Sequence, residues 1–333
     1  MNKRFFGTLP TGEDVYIYSL KSENAFLNVM TRGATVVNFN VFGTDIVGGF
    51  DKLETYLEDT SHQGATIGRV ANRIGGARFE MDGKVYNLPQ NDNGNCLHGG
   101  RGFDYQVWDV TDYSDTSITF EYHSADGEEG FPSALDVKVT YTLDDTALLI
   151  DYKAYPKGKT PIALTNHSYF NLNGFGGTIE DHVAVIYADK YTEVDDNLIP
   201  NGIRPDVRGT AFDFLTPHTI GERCGKDFIG YDHNFILSPT KSETLFGKEL
   251  PLIAEVKGDK LAMNVYTDQP GVQFYIGNFL GDGPDFRGNT KQVFHGAFCL
   301  ETQTEPDCVN HGVGFYDEGD VYTHSVVYSV KKI

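Results

Sequence analysis

Polar and apolar residues alternate along most of this chain with a period of two. Ser117-Ile118-Thr119-Phe120-Glu121-Tyr122 is the plainest short example. Successive side chains of an extended strand point to opposite faces, so the pattern predicts a strand buried on one side. Residues 135–143 alternate throughout, Asp144-Asp145 supplies turn residues, and residues 148–153 return, which predicts a hairpin. A second hairpin over residues 78–86 turns on Asp82-Gly83, a pair that readily takes the φ > 0 conformations of a type I′ turn. Helical spacing is confined to residues 52–58, and alternating strand–helix units are missing, so a parallel doubly wound fold is not expected. No linker, low-complexity stretch or fixed-period repeat marks a boundary. The expectation is one all-β domain over residues 1–333 with few short helices. Its longest irregular stretch, residues 89–113, is rich in Asn, Asp and Gly, as functional loops of that length often are.

Charge narrows the class of ligand. Lys and Arg number 27 against 47 Asp and Glu, a formal net charge of −20. A surface this acidic repels nucleic acid and anionic membranes, which points to a small neutral or cationic partner. The 23 Phe and 19 Tyr supply ample core, so disorder is excluded. Cys96, Cys224, Cys299 and Cys308 form no CxxC pair and read as free thiols. The basic start Met1-Asn2-Lys3-Arg4 is followed by Gly7, Pro10, Gly12 and Glu13 rather than a continuous apolar stretch, so no secretion signal is expected and the predicted location is the cytoplasm. Apolar runs fall short of the ~18–20 residues of a membrane helix.

Several residues carry chemistry. Glu301 follows the apolar run Gly296-Ala297-Phe298-Cys299-Leu300, which reads as a buried strand. Burial raises a carboxyl pKa toward the range useful to a general base, although a strand-end glutamate in an ordinary ion pair fits the same pattern. His98, beside Gly99-Gly100 in the long loop, and His167, among Asn166, Asn171 and Asn173, are either acid–base groups or hydrogen-bonding core histidines. In Gly68-Arg69-Val70-Ala71-Asn72-Arg73 the adjacent Asn72 and Arg73 serve one site only where the backbone is irregular, since neighbours on a strand face opposite ways. Asp232 and Gln273 sit beside aromatics, a combination suited to hydroxyl groups and sugar ring faces. No HxH, HExxH, EF-hand or G-x-S-x-G pattern is present. A metal site would therefore need distant residues, with His98, His167 and Glu301 as two histidines and one carboxylate.

Taken together, 68-GRVANRI-74, 97-LHGG-100, 165-TNHSYFNL-172, 232-DHNF-235, 271-GVQFY-275 and 299-CLETQ-303 resemble, in order, the aldose 1-epimerase family, the galactose mutarotases. The segments 101-RGFD-104 and 209-GTAFDF-214 look similar too. After Glu301 the resemblance thins: 306-PDCVN-310 keeps part of the family's run, but the usual Phe-Pro pair is replaced by Gly314-Phe315-Tyr316-Asp317. The resemblance implies a large antiparallel β-supersandwich and interconversion of the anomers of galactose, with glucose also accepted, without metal or organic cofactor. It implies Glu301 as general base and His167 as general acid. The same resemblance sets His98 with the catalytic pair and implies Asn72, Arg73, Asp232 and Gln273 as the residues that position the sugar. The rivals are a hexose 6-phosphate epimerase, a non-catalytic sugar-binding protein of this fold, and the metal enzyme above.

Overall fold

The computed structural model describes residues 3–333. Its largest antiparallel sheet runs Asp109–Tyr113, Ser117–Ser124, Leu135–Asp144, Ala147–Pro156, Tyr322–Lys332, Leu261–Thr267, Lys248–Lys257, Val183–Ile186, His218–Thr219, and Ser242–Leu245 adds to the flank of Lys248–Lys257. Both predicted hairpins form. Leu135, Val137, Val139, Tyr141 and Leu143 are buried while the residues between them are not, the outcome the period-two pattern requires. The turn itself falls one residue later than expected, on Asp145-Thr146, with Asp144 already paired to Ala147. Asp82 and Gly83 take φ of 53° and 76°, as the tight turn demands.

A second antiparallel sheet orders Lys3–Thr8, Asp14–Lys21, Ala25–Met30, Thr35–Val41 and Thr44–Asp45. The two sheets share a core in which Leu27 and Phe39 of one join Phe120, Val139 and Ile150 of the other. Each such side chain contributes on the order of 1.5–3 kcal/mol on full burial. Leu53–Glu58 is the one α-helix among the described residues, as expected, and none is long and apolar enough to cross a membrane.

Two expectations shift. The irregular stretch ends at Trp108, because residues 109–113 pair with Ser117–Ser124 as an edge strand. The departures after Glu301 leave the closing strand intact: Phe315–Tyr316 forms a short pair with Thr160–Pro161, and Tyr322–Lys332 then enters the largest sheet between two full-length neighbours.

A four-stranded sheet, Ala188–Tyr191, Asp232–Leu237, Gly271–Tyr275 and Cys299–Gln303, positions the chemistry. Phe235, Val272, Phe274 and Leu300 go to the shared core. Register opposes Asp232 to Tyr275 and Gln273 to Glu301, so strand alternation gathers these four on the other face.

Candidate active site

A cavity of about 710 Å³ opens over that polar face, and Glu301, His167, His98, Asn72, Arg73 and Asp232 all line it. Glu301 sits at the centre of Cys299–Gln303, not at its end, and all five residues of the strand are buried. Its Oε2 is buried without a hydrogen-bond partner among the described residues, and its Oε1 lies 3.7 Å from Nε2 of His167. Among the described residues no Lys or Arg makes an ion pair with this carboxyl. Burial pushes it well above its usual range, the charge of Asp232 adds to the rise, and Arg73 opposes it.

His167 follows the two-residue strand Thr165–Asn166, which pairs with Thr66–Ile67. Its ring stacks on Tyr169 with centroids 5.0 Å apart, and Tyr275 closes in edge-on at 6.4 Å, so the imidazole is held in one plane. Burial and the neighbouring His62 lower its pKa to about 3.

The irregular backbone that Asn72 and Arg73 require is present. Asn72 has a φ of 61°, a left-handed conformation that asparagine tolerates, and its Oδ1 accepts the N–H of Arg73 at 2.8 Å. His98, at φ 55°, is locked to Asn72 by two bonds: its N–H donates to the Asn72 carbonyl at 3.0 Å, and its Nδ1 accepts the Asn72 N–H at 3.2 Å. Arg73 Nε donates to Asp92 at 2.7 Å, which aims the rest of the fork.

Gln273 lies beside Asp232 on the same sheet face. It does not line the cavity; its Nε2 donates to Asp232 Oδ1 at 2.7 Å, and its Oε1 accepts from Gln303 at 3.3 Å. It holds Asp232, whose carboxyl burial raises while Arg73 and that hydrogen bond lower it. Sequence reasoning missed His62, Asp92 and Phe279, all on the cavity wall. The one available signal for His62 was the polar run Asp59-Thr60-Ser61 leading into the first family-like motif.

Ligand atoms of His98, His167 and Glu301 lie within 4.8 Å of one another, the donor set that the metal reading also needs. The tautomer of His98 works against it. Because Nδ1 accepts an amide N–H, the proton of the neutral ring sits on Nε2, which then donates a hydrogen bond rather than offering a lone pair to a cation. Arg73 is the one Lys or Arg on the cavity wall among the described residues, and it shares that wall with Asp59, Asp92, Asp196, Asp232, Asp282 and Glu301. A phosphorylated sugar would meet strong repulsion.

The family model described as aldose 1-epimerase matches residues 16–329. The chain belongs to the aldose 1-epimerase family. It is 43% identical to the galactose mutarotase of Rattus norvegicus over 93% of its length and 92% of that relative, and 35% identical to the aldose 1-epimerase of Haemophilus influenzae over 91% and 90%. Among solved structures, a galactose 1-epimerase from Lactobacillus acidophilus superposes with a TM-score of 0.87, covering 100% of this chain and 99% of that one at 24% identity, which shows the shared fold. The GalM/aldose epimerase homologue from C. elegans has a TM-score of 0.86 at 25% identity, covering 95% and 99%. The protein is accordingly an aldose 1-epimerase, an enzyme acting on carbohydrate, and its fold is the antiparallel β-supersandwich expected from the motifs.

Proposed function

We propose that this aldose 1-epimerase interconverts the α and β anomers of D-galactose, with D-glucose also accepted, by opening and reclosing the ring between Glu301 and His167. The observation that carries the assignment is the buried, unpartnered Oε2 of Glu301 beside the His167 imidazole. Glu301 takes the proton from the O1 hydroxyl as C1=O1 forms and C1–O5 breaks. The electron pair left on O5 takes a proton from Nε2 of His167. Rotation about C1–C2 presents the other carbonyl face; O5–H then returns its proton to His167, O5 attacks C1, and Glu301 reprotonates O1. Nε2–H of His98 and the guanidinium of Arg73 steady negative charge on oxygen, and Asn72 and Asp232 hold ring hydroxyls.

Burial favours the protonated carboxyl of Glu301 and the neutral ring of His167. The working arrangement, carboxylate and imidazolium, holds the same single proton. Sugar hydroxyls donating to the carboxylate favour that second arrangement, so binding itself readies the base and the acid.

The chain works in this reading as one domain over residues 1–333, with a small neutral hexose as its partner and neither nucleic acid nor membrane. Its four unpaired thiols fit a reducing compartment, the cytoplasm. The test is to follow the optical rotation of freshly dissolved α-D-galactose with and without the protein, beside α-D-galactose 6-phosphate. Accelerated decay for galactose with a much lower kcat/KM for the phosphate is expected. Unchanged decay in both leaves a sugar-binding protein, and preference for the phosphate would make the protein a hexose 6-phosphate epimerase.

A further inference from the structure

His62 stands in the same cavity as the two catalytic histidines, and no step above uses it. Its ring meets His98 edge to face with centroids 4.8 Å apart and stacks on His167 at 6.1 Å. Its Nδ1 lies 2.8 Å from Oδ2 of Asp104, and both side chains are largely buried. A carboxylate oxygen accepts, so Nδ1 is the donor of that bond, and in that tautomer the lone pair sits on Nε2. Nε2 has no partner among the described residues. His98 is wired the other way, with Nδ1 accepting and Nε2–H donating. Two touching imidazoles therefore offer the cavity an acceptor and a donor side by side. A sugar hydroxyl is both, and such a pair is complementary to it.

The arrangement is built in rather than incidental. His62 has a φ of 56°, its carbonyl accepts the Ala65 N–H at 3.1 Å, and Gly64 N–H donates to the His167 carbonyl at 2.8 Å, which ties this turn to the catalytic segment. We infer that His62 is a sugar-binding residue whose Nε2 accepts a hydrogen bond from one substrate hydroxyl, and that Asp104 is the positioning residue that fixes its tautomer. This deepens the mutarotase reading and rests on it.

The experiment measures kcat/KM by polarimetry for D-galactose and its 2-, 3-, 4- and 6-deoxy analogues with the wild type, His62→Asn and Asp104→Asn. Asparagine tolerates the left-handed backbone at position 62. The amide of Asp104→Asn, turned to donate to Nδ1, moves the ring proton to Nε2 and removes the acceptor. In the wild type one deoxy analogue is expected to lose about tenfold or more in kcat/KM. In both variants that one penalty shrinks several-fold while the other penalties stay, a selectivity that a merely structural role would not show. Identical analogue ratios in all three proteins would overturn the assignment. A wild type inactive on galactose would overturn the mutarotase reading beneath it, a failure told apart by the absence of any activity to compare.

Discussion

Oε1 of Glu301 and Nε2 of His167 lie 3.7 Å apart in a site that buries both side chains. At that separation a charge on one group bears on the other, and in the proposed mechanism the pair works while it holds one proton. Burial opposes charge on either group alone, yet a carboxylate facing an imidazolium carries no net charge and costs far less than an isolated ion in the same place.

Glu301→Gln keeps the shape and removes the base. The expected loss is roughly 10²- to 10⁴-fold in kcat with little change in KM, read by polarimetry on α-D-galactose. Turnover near that of the wild type would reduce Glu301 to a structural carboxyl.

The same substitution should stabilise the fold in a pH-dependent way. The folded-state pKa of Glu301 is raised above the ordinary 4.5, so the favourable contribution of its protonated form is complete below that value and is lost as pH rises toward the folded pKa. Glu301→Gln should therefore match the wild type in Tm near pH 4 and exceed it increasingly as pH climbs. A Tm difference that does not vary with pH would show that the buried carboxyl is not protonated in the fold.

The pH dependence of kcat/KM should be a bell with its limbs pushed apart. On the acid side activity falls when the pair gains a second proton, which His167, lowered to about 3, accepts only in strong acid. On the basic side it falls when the pair loses its one proton, which burial of Glu301 moves above the usual carboxyl range. Exhaustive dialysis against EDTA should leave the whole profile unchanged. Activity that rises through the histidine range and vanishes with chelator would restore the metal-ligand roles of His98, His167 and Glu301.

Gln273→Leu removes the hydrogen bond that holds Asp232 without touching the cavity wall. Its effect should fall on binding, with KM rising several-fold and kcat lowered less. A collapse of kcat at unchanged KM would place Gln273 in the chemistry instead.

Much of this protein is legible in local pattern. Hydrophobic periodicity, of two for strands and near 3.6 for helices, is a property of a few neighbouring residues, so both hairpins, the short helix and the all-β class follow from it, and residue type marks Glu301, His167 and Asn72 as capable of acid–base or hydrogen-bonding work. Distances between segments remote in sequence are not local, and only the tertiary structure decided them. Pairing of Cys299–Gln303 with Gly271–Tyr275 put Glu301 in the middle of a buried strand facing His167 rather than at a strand end. The same sheet set Gln273 beside Asp232, where its amide holds that carboxyl. The pairing of His62 with Asp104 was not legible in the sequence, because a histidine's role depends on which of its nitrogens is already engaged, and that is settled by packing.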